Sequence, residues 1–225
     1  MYQFITGPLL WLTFLVFFLG LTLRVVFYIR GLDWKLDRVT YRVNTSYGVK
    51  GAFWSIFYWI MPFGSASWRA RPFYTLVFFA FHIGLVLTPI FVLGHAVLLK
   101  ERWGIGWPTL SNALADFLTV TVIVTGIYLF LRRLVRPEVR ILTSAQDYLV
   151  LLIAVAPFIT GLMAGQGGEN YRFWLIFHIL SGEVWLGAIP LSKLAHVVLF
   201  FCSRAQLGMD FGIKRGGMKG RGVVW

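Results

Sequence analysis

The chain has four histidines, His82, His95, His178 and His196, and each lies inside a long apolar run rather than a polar loop. Imidazole binds metals and moves protons near neutral pH, and in hydrocarbon it is costly unless a partner satisfies it. His178 and His196 are 18 residues apart in the run 173–201. On one helix that spacing is five whole turns, so both rings leave one face, about 27 Å apart along the axis and close to the roughly 30 Å hydrocarbon thickness of a bilayer. His82 and His95 share a second run, 13 residues apart, which on an ideal helix falls about 140° short of four full turns. Pro89 between them removes a backbone hydrogen bond and can kink the helix, changing that direction. If the two helices run antiparallel, His82 meets His196 at one depth and His95 meets His178 at the other. Two His–His pairs at two depths suit a pair of b-type haems, each iron taking two neutral imidazoles with no covalent link to the porphyrin. Gly84, Gly94, Ser181 and Gly182 beside the ligands would leave room for a porphyrin face. The competing readings are histidines that hydrogen-bond between helices or line a proton path in a transporter or proton-conducting subunit, and a haem-free membrane anchor.

The elements that must position these residues are membrane helices. Of 225 residues, 58% are hydrophobic, 18% aromatic and only 13% charged, where a soluble domain carries about 25% charged residues. The net charge of +12 sits in short loops between apolar runs, a pattern set by topology and anionic headgroups rather than by nucleic acid. The single cysteine, Cys202, excludes an internal disulfide framework, a CxxCH haem attachment and a four-cysteine iron–sulfur site, so a cofactor would rest on histidine. The expected fold is an all-α integral membrane protein, a five-helix transmembrane bundle in one membrane domain, 1–225, with spans near 3–29, 72–99, 113–131, 145–164 and 173–201. The first run has no basic n-region and is too long for a signal-peptide core. The aromatic segment 52–63 is too short to span and reads as interfacial or re-entrant. No internal repeat and no separate soluble domain is expected. Fifteen lysines and arginines fall in the first loop, the third loop and the 203–225 tail, against three (Lys100, Arg102 and Arg172) on the other side. The positive-inside rule then places the N-terminus outside and the basic tail in the cytoplasm, as expected of a multi-pass protein of the bacterial inner (plasma) membrane.

Other polar residues are weaker candidates. Glu183, five residues after His178, is a haem-side hydrogen-bond or quinone-proton candidate, against a buried structural carboxyl. Asp116 at the start of the third span is a proton acceptor for quinol oxidation on this reading. Lys100 and Arg102 just beyond His95, and Arg69 and Arg71 at the mouth of the second span, could meet haem propionates or, for the first two, a quinone carbonyl. The bland alternative is snorkelling and positive-inside placement. Trp54, Trp59, Trp68, Trp103, Trp107 and Trp174 read as interface anchors with no chemistry.

With Phe81-His82-Ile83-Gly84, Gly94-His95 and Ile189-Pro190-Leu191-Ser192-Lys193-Leu194-Ala195-His196, the chain resembles the gamma subunit of respiratory nitrate reductase, the di-haem cytochrome b family. That family includes the membrane cytochrome b subunits of sulfate-reducer complexes, such as the high-molecular-weight cytochrome c and sulfite-reductase-associated complexes, and the sulfate-reducer type fits better. The resemblance covers residues 72–202 by motif and the first span by topology. It implies haem ligands at His82, His95, His178 and His196, quinol chemistry with menaquinone as the candidate near the outer haem, and electron exchange with a cytoplasmic iron–sulfur subunit. Further membrane subunits and a periplasmic multihaem cytochrome c are the other partners it implies.

Overall fold

The computed structural model describes residues 2–32 and 45–214. Lys35, Arg38 and Arg42 of the first basic loop, and Arg215, Lys219 and Arg221 of the tail, lie outside the described residues. The described chain is helical, with no strand. Helix α1 is Leu10–Arg30, reached through Tyr2–Phe4 and a π-helical turn, Ile5–Leu9, around Pro8. Then come α2 (Thr45–Ile60), α3 (Pro72–Phe91), α4 (Leu93–Trp103), α5 (Asn112–Val135), α6 (Ala145–Gly165), α7 (Tyr171–Leu191) and α8 (His196–Lys214). Five stretches are long and apolar enough to cross a membrane: Tyr2–Arg30, Pro72–Trp103, Asn112–Val135, Ala145–Gly165 and Tyr171–Leu191. This is the pattern of a multi-pass membrane protein, in the expected number and order.

Two expectations about continuity fail. The run 173–201 is not one helix: α7 ends at Leu191, Ser192 is extended (φ −127°, ψ −170°), and a 3-10 turn, Lys193–Ala195, leads into α8. The cause is local. Ser192 Oγ accepts the Leu194 N–H at 3.2 Å, so that N–H never reaches the Pro190 carbonyl, and Pro190 itself offers no N–H to the ladder. The five-turn argument that put His178 and His196 on one face therefore does not apply. The second span also breaks, at Val92 (φ −68°, ψ 137°), three residues after Pro89. Segment 52–63 proves to be the end of the longer helix α2 plus the turn after it.

The helices divide into two compact units. One comprises Met1–Phe14 and Val77–Ala188. In it Gly84 of α3 lies against α5, where an added Cβ would meet Val122 Cγ2 at 2.6 Å, and Gly126 of α5 lies against α6, where a Cβ would meet Val155 Cγ2 at 2.8 Å. Phe81, Val122, Leu129, Leu151, Val155 and Phe158 fill the core between these helices. Helix α5 starts on the Ser111 cap, whose hydroxyl accepts the Leu114 N–H, and α6 on Ser144, whose N–H donates to Asp147 at 2.8 Å, the reciprocal arm of a capping box.

The other unit comprises Leu15–Leu76 and Ile189–Trp225. Helices α2 and α8 meet there backbone to backbone: a Cβ on Gly51 would overlap the Gly208 carbonyl, and one on Gly208 would overlap Gly51. Small residues at a crossing let helices approach this closely. Arg204 of α8 locks the crossing, donating to the fully buried Ser55 hydroxyl at 3.1 and 3.0 Å and lying 4.6 Å over the Trp59 ring. Burial pushes the Arg204 guanidinium below its ordinary value, yet arginine stays charged. Helix α1 packs here too, with Gly20 against Pro190, the Arg24 Nε–H donating to the Pro190 carbonyl at 2.7 Å, and Tyr28 donating to Gln206 at 2.5 Å. Arg24 thus answers a carbonyl that the break at Ser192 leaves open, at a helix C-terminus where a cation is favoured.

Candidate functional site

Breaking a helix at Val92 leaves three carbonyls, Pro89, Ile90 and Phe91, without the N–H groups four residues on. Each finds another donor. The His95 Nδ1–H donates to Pro89 at 2.8 Å, the Trp107 indole N–H donates to Ile90 at 2.8 Å, and the Leu110 N–H donates to Phe91 at 2.9 Å. The break therefore fixes the His95 ring and ties down the loop after α4. Trp107, expected only as an interface anchor, is part of this accounting.

His178 is held from α6. Its Nδ1–H donates to the Pro157 carbonyl at 2.9 Å, and its ring lies so close to Gly161 that a Cβ there would meet Cε1 and Nδ1 at 2.9 Å. Ser181 Oγ donates to the His178 carbonyl at 3.0 Å and lies 3.1 Å from Thr160 Oγ1, bridging α7 to α6. The two imidazoles then face each other, Nε2 to Nε2 at 3.5 Å, with ring centroids 5.7 Å apart and planes only 16° from parallel. Because carbonyls only accept, both Nδ1 atoms carry the hydrogen, and neutral rings then point two Nε2 lone pairs at one another. Two acceptors at this distance repel unless something electrophilic lies between them. A metal at ordinary imidazole distances of about 2.0–2.1 Å from each nitrogen would set the pair about 4 Å apart, so a small rotation of either ring admits one.

The remaining histidines carry the same local mark. His82 Nδ1 donates to Phe78 one turn back at 2.8 Å, with the Phe78 ring 4.1 Å away, and His196 Nδ1 donates to Lys193 at 3.0 Å. A metal-binding histidine characteristically donates its other ring N–H to a carbonyl or carboxylate, and all four comply. This donor set fits an iron held by two imidazoles. Gly94 and Gly182 leave open space on which a flat ring can lie, since a Cβ on either would touch nothing within 4 Å. Gly84, also expected to clear a porphyrin face, serves helix packing instead.

The other candidates are placed as follows. Glu183 is 7% exposed, and neither carboxyl oxygen has a hydrogen-bond partner among the described residues. Asp116, Lys100 and Arg71 are exposed, and nothing brings them to the His95–His178 pair. The Arg102 guanidinium donates to the Thr6 carbonyl at 3.2 Å, beside Trp103, whose ring meets Trp11 and Phe14. Arg69 donates to the Phe63 and Gly64 carbonyls at 3.0 and 2.7 Å, closing a turn in which Phe63 has a positive φ of 60°. Both arginines thus hold backbone.

The local geometry also exposes a short repeat that the sequence reading missed. Pro89 precedes His95 by six residues, and Pro190 precedes His196 by six, with a helix break between in each case. The histidines sit in Leu93-Gly94-His95-Ala96-Val97-Leu98 and Leu194-Ala195-His196-Val197-Val198-Leu199.

A curated protein of Nitratidesulfovibrio vulgaris (strain Hildenborough) is 50% identical over 226 residues, spanning the full length of both chains. The chain belongs to one family with it. That relative is named simply "Protein", which states no activity. No family model matches the chain, and no solved structure does.

Proposed function

We propose that the chain is a di-haem b-type membrane cytochrome subunit that carries electrons across a membrane between a quinone pool, menaquinone being the candidate, and partner redox subunits. The observation that carries the reading is the His95–His178 pair, whose Nε2 atoms converge at 3.5 Å while both Nδ1–H groups are tied to backbone carbonyls. His95 and His178 would hold one iron. His82 and His196 would hold the second, as the resemblance to the nitrate reductase gamma family implies. Haem iron, when bound, supplies the one-electron chemistry. The protein's part is to fix ring tautomer, orientation and depth, which the Pro89 and Pro157 carbonyls do for the first pair. The positive-inside count supports an outside N-terminus, a cytoplasmic tail and residence in the bacterial inner membrane. A cytoplasmic iron–sulfur subunit is the partner that the resemblance to the nitrate reductase gamma family supports, with a periplasmic multihaem cytochrome c and further membrane subunits as the remainder of a sulfate-reducer-type complex. The test is a dithionite-reduced minus oxidised spectrum with pyridine haemochrome quantitation on the purified chain. Two haems b per chain are expected, and none would refute the reading in favour of a haem-free proton-conducting subunit.

A further inference from the structure

We propose that Gly161 is the positioning residue for the His178 imidazole, acting with the Pro157 carbonyl one turn before it to hold that ring near-parallel to His95; the inference rests on the haem reading above. Three contacts bound the ring: the Pro157 oxygen at 2.9 Å from Nδ1, the α6 backbone at Gly161, and the His95 ring opposite. A methyl group on residue 161 would sit 2.9 Å from both Cε1 and Nδ1, closer than atoms tolerate. The ring has two ways to yield. It can leave the Pro157 carbonyl, or it can turn out of the 16° alignment with His95. The α7 backbone cannot slide to relieve the clash without cost, because the Thr160–Ser181 contact fixes its register against α6. Gly126 is the contrast within the same unit: its Cβ would meet Val155 Cγ2 at 2.8 Å and Phe81 Cε2 at 3.5 Å, and would touch no imidazole.

Electron paramagnetic resonance of the oxidised, purified full chain reads this orientation directly. Near-parallel axial imidazoles give a rhombic low-spin signal, and crossed ones a single signal at large g. Wild type is expected to show the rhombic signal for one haem. Gly161→Ala should remove it, replacing it with a large-g or high-spin signal and shifting the midpoint potential of that haem alone. Ser181→Ala adds no bulk, so it keeps the test open if Gly161→Ala does not accumulate; it should broaden or move the same signal. Gly126→Ala should leave both haem signals as in wild type. The proposal is overturned if Gly161→Ala retains the wild-type signal and potential, if Gly126→Ala moves that signal as far, or if Ser181→Ala leaves it unmoved where Gly161→Ala cannot be made. A wild-type chain without haem overturns the cytochrome reading and this inference with it, whereas haem-loaded protein that ignores the substitutions overturns only the inference.

Discussion

Replacing Glu183 distinguishes a buried neutral acid from a buried charge. The side chain is 7% exposed within a membrane-spanning helix, and neither oxygen has a donor in reach among the described residues. An ionised carboxylate in such a place would cost several kcal/mol, so Glu183 is carried as the neutral acid. Removing one partner of a buried ion pair typically costs about 3–5 kcal/mol. An unpartnered polar group is instead already a liability of about 1–3 kcal/mol. Glu183→Gln should therefore change stability by no more than about 1 kcal/mol, and Glu183→Leu should leave it level or raise it. For a chain of this size 1 kcal/mol moves Tm by about 2–4 °C, so both variants should melt within a few degrees of wild type in detergent, or slightly above. A fall of more than about 10 °C, the scale of a broken buried ion pair, would refute the neutral-acid assignment. Quinol-driven haem reduction measured on the same Glu183→Gln preparation separates function from fold. A slowed rate at unchanged Tm assigns the proton role, and an unchanged rate removes it.

His95→Ala and His178→Ala should each remove the same haem, halving haem per chain by pyridine haemochrome, and loss of different haems would break the pairing. Gly51→Ala or Gly208→Ala forces a methyl group into backbone that cannot rotate away and should cost about 1–3 kcal/mol, read as a lower melting point by the fluorescence of Trp54 and Trp59 on α2. Arg204→Met should lose the two Ser55 bonds and the Trp59 contact, about 1.5–3 kcal/mol for hydrogen bonds to a charged group, and Arg204→Lys should recover only part of it.

Span number and order were legible because hydrocarbon demands about 20 apolar residues per crossing, and the hydropathy pattern along the sequence shows five such runs. The His95–His178 pairing was legible for a related reason: antiparallel crossing matches the exit of one span to the entry of another. What the sequence hid was continuity. A run as apolar as 173–201 gives no periodic sign that Ser192 will turn its hydroxyl onto the Leu194 N–H and end the helix. Nor could hydropathy reveal that the Pro157 carbonyl takes a donor from a different helix, or that Gly161 is the glycine on which an imidazole rests while Gly84 packs against Val122. Arg69 and Arg102 looked like anion ligands because charge is visible in sequence, whereas the open carbonyls that engage them arise from backbone geometry alone.

The two helix breaks explain why these histidines sit where they do. A continuous helix engages its interior carbonyls in its own ladder, so an imidazole needing an acceptor for Nδ1–H must find one outside it or share one a turn back, as His82 does with Phe78. Pro89 followed by an extended Val92 creates free acceptors within the span, and His95 takes one of them. Before His196, Pro190 and an extended Ser192 again break the helix, but there Arg24 takes the Pro190 carbonyl and the histidine bonds Lys193 in the 3-10 turn after the break. In each case the proline comes six residues before the histidine, with the break between them; the next helix starts at Leu93, two residues before His95, and at His196 itself. In both cases the Nδ1–H is spent on a backbone carbonyl, which fixes the ring's tautomer.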